Sequence, residues 1–191
     1  MLDVTFAIPT YNSAATLMTV LQRCLMQDVT PKILIMDNGS KDGTVEMLRA
    51  AIDNGWFGKV DIHVESVQRL LGGRDKNIPY VRYKLCQAVE SEYLFFIDSD
   101  VLLPAHCTLG LKQMMDEDSN TVGAAIRVDP LADHVQMAAV LFKSEIVKKI
   151  RWNSVDGKCE CRCALESLQQ MNPQYRIALH PVFQAMHLKG F

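Results

Sequence analysis

Apolar residues in this chain come in short runs, each broken by a polar cluster. Val4 to Ile8 is such a run, stopped by Pro9. Ile33-Leu34-Ile35-Met36 ends in Asp37-Asn38-Gly39-Ser40, and Tyr93 to Ile97 ends in Asp98-Ser99-Asp100. Runs of this length bounded by turn residues predict buried strands. Val60, Ile62 and Val64 alternate with polar residues, the period of a half-exposed strand. Between these runs the period becomes helical. Leu17, Val20, Leu21 and Leu25 follow Ser13, and Val45, Leu48, Ala51 and Ile52 follow Thr44, so Ser13 and Thr44 are the expected caps. Ser66 to Lys76 reads as a loop, and Asn77 with Pro79 opens the next helix. Further on come a helix around His106 to Met115 and a strand near Thr121 to Val128. An apolar stretch at Val135 to Phe142, helices near 143–150 and 160–171, and a strand at Tyr175 to Leu179 complete the chain. Strand–helix alternation predicts an α/β domain with a mostly parallel central sheet flanked by helices.

In such sheets ligands bind at the carboxyl ends of the strands. Three polar clusters fall there: Pro9-Thr10-Tyr11-Asn12, Asp37-Asn38-Gly39-Ser40 and Asp98-Ser99-Asp100. Each alone also reads as a solvated turn; together they predict one shared pocket. Asp98 and Asp100 stand two apart, and in extended chain such residues point to the same side. The two carboxylates then converge on one cation, and oxygen donors suit Mg²⁺ or Mn²⁺. The alternative is that one aspartate caps a helix and the other faces water. On the helix after Asn77, Ile78, Val81, Leu85 and Val89 form an apolar stripe that contains Arg82. A guanidinium there must snorkel out or meet an anion.

Charge changes the picture little. A net charge of −2 over 191 residues gives no basic field for nucleic acid. No apolar run reaches the length of a membrane helix, and MLDVTFAIP lacks the features of a secretion signal, so a cytoplasmic protein with reduced thiols is expected. Cys159-x-Cys161-x-Cys163 has no second pair to complete a zinc site and reads as ordinary thiols.

"FAIPTYNSAATLMTVLQ", "ILIMDNGSKDGT", "VRYKLCQAVESEYLFFIDSDV" and "YRIALHPVFQAMHLKG", in this order and spacing, resemble the family 2-type glycosyltransferases with the GT-A fold. The resemblance covers nearly the whole chain. It implies one domain, with a nucleotide-binding part over roughly 1–103 and an acceptor-side part over roughly 104–191. It further implies that Pro9, Thr10, Tyr11, Asn12, Asp37, Asn38 and Ser99 hold the nucleotide of a sugar donor, with Arg82 near its diphosphate. Asp98 and Asp100 would carry Mn²⁺ or Mg²⁺, and His187 falls where many members have a third metal ligand. The donor would be a UDP-sugar, or a GDP- or dTDP-sugar, and the acceptor a hydroxyl of a glycan or another molecule. Two departures stand out. Tyr83 occupies a position where the family commonly has Asn. The Glu-Asp pair that supplies the catalytic base is represented only by Cys159-Glu160-Cys161, so Glu160 is the expected base, with Asp156 its competitor. A base facing the sugar implies inversion; otherwise retention stays open. Other readings are a nucleotide-sugar-binding module, one domain of a larger enzyme, or a nucleotidyltransferase. The last would be expected to carry a Gly-rich loop and a lysine, which IPTYNSAAT lacks.

Overall fold

Alternating side chains on the first strands determine how the helices pack. The computed structural model describes residues 2–58, 60–71, 73–129, 133–154 and 158–188. In β1 (Val4–Thr10), β2 (Lys32–Asp37) and β4 (Tyr93–Ile97), one set of side chains is Phe6, Ile8, Ile33, Ile35, Phe95 and Ile97. The other is Ala7, Leu34, Met36, Leu94 and Phe96. Both sets are buried, which is why these strands read as continuous apolar runs rather than alternating ones. The first set packs under α1 (Leu17–Leu25), α2 (Thr44–Asp53) and α4 (Thr108–Asp116). The second packs under α3 (Arg74–Ala88), α5 (Ser144–Val147) and α6 (Glu160–Met171). Phe6 and Phe95 meet edge to face at 5.2 Å across adjacent strands.

The sheet is completed by β3 (Ile62–Ser66), β5 (Val101–Leu102), β6 (Thr121–Asp129), β7 (Ala139–Lys143) and β8 (Arg176–His187), in the order β3-β2-β1-β4-β7-β6-β8-β5. The expected parallel sheet holds for β3, β2, β1 and β4. Beyond β4 the sheet is mixed: β7 runs antiparallel to both β4 and β6, and β8 is parallel to β6. The antiparallel insertion follows from the chain itself. The segment between β6 and β7 carries no helix among the described residues, and a parallel return needs a long crossover.

Several boundaries move for identifiable reasons. Ser13 does not cap α1 with its hydroxyl; its carbonyl accepts from Thr16 and Leu17, and its hydroxyl reaches Ser99 instead. Leu25 lies partly exposed, and Cys24 takes the buried position. Gly43, at φ +86°, occupies the cap position of α2, one residue before Thr44, whose amide donates to the Asp42 carboxylate. The third helix begins at Arg74, earlier than Asn77, and absorbs Pro79.

The last strand runs well past the expected end at Leu179. His180-Pro181-Val182-Phe183 bulges out, and pairing resumes at Gln184 against Arg127. Pro181 cannot donate to a ladder, so the bulge is its natural place. Inside it, His180 Nδ1 accepts from the amides of Val182 and Phe183 at 3.2 and 3.0 Å, and Phe183 stacks on the His180 ring.

Gly123 shows how tightly β6 and β7 meet. A Cβ there would lie 2.8 Å from the Phe142 ring and 3.1 Å from the Leu141 carbonyl. Phe142 is fully buried. Gly123→Ala is therefore expected to cost about 1–3 kcal/mol, read as a lowered midpoint in denaturant with unchanged slope.

Candidate active site

The three polar clusters converge. A cleft of 350 Å³ opens at the carboxyl ends of β1, β2 and β4, lined by Pro9, Thr10 and Tyr11, by Asn38, and by Asp98, Ser99 and Asp100. The remaining wall comes from Arg69 and from Asn77, Ile78, Val81 and Arg82 of α3. Asn12 and Asp37 are not part of this wall. The Asp37 carboxylate accepts from the amides of Gly39 and Ser40 and from the Ser40 hydroxyl, closing the turn after β2. Asn12, at φ +49°, accepts from the Lys41 amide and donates its own amide to Ser40. These two residues tie the loop after β1 to the loop after β2. Ser99 binds a third loop to them: its hydroxyl pairs with Ser13 at 2.8 Å, and its carbonyl accepts from Thr16 at 2.7 Å.

Asp98 and Asp100 do not stay in extended chain. The Val101 amide donates to the Asp98 carbonyl at 3.0 Å, so residues 98–101 form a turn. The carboxylates take different neighbours. Asp98 Oδ1 accepts from Arg82 Nη2 at 2.8 Å, and Asp100 Oδ1 lies 3.4 Å from His187 Nε2. His187 arrives because β8 pairs with β5, placing it opposite Val101. Both aspartates nonetheless face one cleft.

Arg82 does not snorkel out, and it already meets anions within the fold. Its side chain is only 2% exposed and meets Asp98 directly, with Glu160 Oε1 at 3.8 Å. The guanidinium carbon also lies 5.0 Å above the Phe96 ring. Burial works to lower the Arg82 pKa, but the carboxylates of Asp98 and Glu160 outweigh it and leave it raised. Among the described residues its Nε and Nη1 have no hydrogen-bond partner, although both are buried. Such orphaned donors cost about 1–3 kcal/mol each and mark a place that an anionic ligand would complete.

Glu160 begins α6, where a carboxylate also complements the helix dipole. It reaches the site through Arg82 rather than lining the cleft. Asp156 lies outside the described residues.

Sequence patterns missed Arg69 and the role of Asn77. Arg69 donates to Asn38 Oδ1 at 3.2 Å and stacks over the Tyr11 ring at 3.7 Å, forming one lip of the cleft. Nothing local distinguished it from the other charges of its loop. Asn77, expected only as a helix opener, is buried. It exchanges two hydrogen bonds with the Leu70 backbone, both at 2.9 Å, and so fixes the loop that carries Arg69.

Mn²⁺ or Mg²⁺ needs one or two carboxylates when substrate phosphates complete its shell. Asp98 and Asp100 provide that hard oxygen set, with His187 adjacent. The three donors are not drawn together into one tight cluster among the described residues.

Solved structures share this fold. The chain superposes with a TM-score of 0.77 at 17% identity on the mannosyltransferase PcManGT from Pyrobaculum calidifontis, in complex with GDP-Man and Mn²⁺, covering 99% of this chain and 58% of that one. S. aureus TarS 1-349 in complex with UDP-GlcNAc gives 0.72 at 16%, covering 100% and 60%. GalNAc-T7 with UDP, GalNAc and Mn²⁺ gives 0.74 at 12%, covering 98% and 43%. This chain thus spans less than two thirds of the length of the structures it matches. No curated protein sequence matches it. Among the described residues no helix is long and apolar enough to cross a membrane. The family model for Glycosyl transferase family 2 matches residues 5–169, a segment that contains every residue lining the cleft but not β8 and His187. The chain belongs to glycosyl transferase family 2.

Proposed function

We propose that this chain is a metal-dependent glycosyltransferase domain that moves a sugar from a nucleotide-diphosphate sugar to an acceptor hydroxyl with inversion at the anomeric carbon. The observation that carries the reading is the buried Arg82 guanidinium on the cleft wall, with two unpartnered nitrogens beside Asp98. A diphosphate there would accept from those nitrogens. Pro9, Thr10, Tyr11 and Asn38 would receive the nucleoside, with Arg69 closing over it from Tyr11. Asn12, Asp37 and Ser99 serve by holding the loops in place. UDP is the first choice of nucleotide, GDP or dTDP the next. Residues 1–103 then form the donor side and 104–191 the acceptor side of one domain.

Mn²⁺ or Mg²⁺, held by Asp98 and Asp100 with His187 as a further ligand, supplies charge neutralisation on the diphosphate when bound. The acceptor oxygen attacks the anomeric carbon, and its proton passes to Glu160. The bond to the diphosphate breaks, its electron pair leaves with the phosphate oxygen, and Arg82 faces that charge.

Thermal shift with UDP, GDP and dTDP, with and without Mn²⁺, tests the site. Nucleotide at a hundred times its dissociation constant adds about 2.7 kcal/mol of stability. Asp98→Asn and Asp100→Asn are expected to lose the metal-dependent part of that shift. No shift with any nucleotide, or an undiminished metal-dependent shift in both variants, overturns the reading. Release of nucleoside diphosphate from the donor on adding acceptor separates an enzyme from a binding module.

A further inference from the structure

Cys159 and Cys161 were expected to lack partners for a metal. The fold brings one from the segment before β7. His134 Nε2 lies 3.1 Å from Cys159 Sγ. The other ring nitrogen, Nδ1, is 2.7 Å from Asp133 Oδ1, and the second oxygen of Asp133 pairs with Arg162 on α6. A carboxylate on Nδ1 holds the proton there and leaves the Nε2 lone pair for a cation. Cys161 Sγ completes the group. It accepts from the Met137 amide at 3.3 Å, which keeps it at the seam between the 133–137 segment and α6.

Among the described residues this is the one set of three such groups whose donor atoms all lie within 4.8 Å of one another. Bonds of about 2.1 Å to nitrogen and 2.3 Å to sulfur place tetrahedral ligand atoms roughly 3.5–3.8 Å apart. Small side-chain adjustments take the observed group to that geometry.

We propose that His134, Cys159 and Cys161 bind Zn²⁺ or a similarly thiophilic cation, with the fourth position left to water, and so clamp the 133–137 segment to the start of α6. Two sulfurs and one imidazole favour such a cation, whereas the oxygen donors of Asp98 and Asp100 favour Mn²⁺ or Mg²⁺. The two sets of ligands therefore select different metals. Glu160 stands between two of the zinc ligands in sequence, so the clamp fixes the backbone that presents it. The proposal stands on this cluster alone and does not depend on the donor chemistry.

The test strips the purified protein with chelator, reloads it with Zn²⁺, desalts it and measures bound metal. About one equivalent per chain is expected, because three protein ligands hold zinc through exchange. Replacement by Co²⁺ is expected to give thiolate-to-metal charge transfer with tetrahedral ligand-field bands. Cys159→Ser, Cys161→Ser and His134→Ala are each expected to lose the metal. Asp133→Asn is expected to weaken it by about 10–100-fold. Cys163→Ser, outside the cluster, is expected to retain it. Bound zinc is also expected to protect Cys159 from alkylation, since coordination occupies its thiolate. A wild-type protein that retains no zinc and shows no thiolate–cobalt band overturns the proposal without recourse to any variant. So does equal retention in Cys159→Ser, which would place the metal elsewhere.

Discussion

Arg82→Met is expected to weaken binding of a nucleoside diphosphate by about 10–100-fold while leaving binding of the bare nucleoside unchanged. The guanidinium is buried, and its two orphaned nitrogens are the donors that a diphosphate would use. A hydrogen bond to a charged group contributes about 1.5–3 kcal/mol, and each 1.4 kcal/mol is a factor of ten in affinity. Met keeps the unbranched bulk over Phe96 and removes every donor. Stability also falls, because Asp98 and Glu160 lose their shared cation. Their side chains are 26% and 14% exposed, so both regain some water. The loss is therefore expected to fall short of the about 3–5 kcal/mol that breaking a fully buried pair costs. Isothermal titration of UDP against uridine, or of the nucleotide that the thermal shift selects, reads the difference directly. Equal weakening of both ligands would assign Arg82 to the scaffold alone.

Glu160→Gln is expected to cut turnover by about 10²- to 10⁴-fold, the usual contribution of a general base. Glutamine preserves size and reach but cannot take the proton. Donor affinity is expected to hold or rise slightly, because the substitution removes a carboxylate 3.8 Å from Arg82 and leaves that cation more available to a diphosphate. Loss of turnover without loss of donor affinity therefore separates a base from a structural acid. Asp156→Asn is expected to do much less. An active Glu160→Gln enzyme with an inactive Asp156→Asn counterpart would move the base to Asp156. NMR of the product anomer checks inversion at the same time.

The first half of the chain was legible because its signals are local. Buried strands ending in polar clusters encode both the sheet and the cleft at its carboxyl ends, and Pro9, Asn38 and Asp98 line that cleft as the pattern implied. Arg82 was visible as a charge inside an apolar stripe, but its partner was not, since only the fold brings Asp98 and Glu160 to it. Asp37 was expected at the nucleoside, and in the fold its carboxylate accepts from the amides of its own turn. A carboxylate in a tight turn can serve either purpose, and composition does not say which. The second half was harder. Its sheet order depends on pairings between distant segments, and the strand after Leu179 is hidden by Pro181. The zinc candidate shows the same limit: Cys159 and Cys161 stand two apart in sequence, but His134 comes from another segment.

The bulge at residues 180–183 divides the last strand into two lengths that can change independently. The first half, from Arg176 to Leu179, is locked to the inner part of β6, and the second, from Gln184 to His187, delivers the imidazole to Asp100. A residue gained or lost within the bulge is absorbed as slack. The same change after Gln184 would turn His187 to the opposite face of the sheet, because side chains alternate with a period of two. The strand thus has a site that accommodates a change of length immediately beside one that does not. The reach of the histidine can drift and be retuned while the pairing of the core strands stays in register.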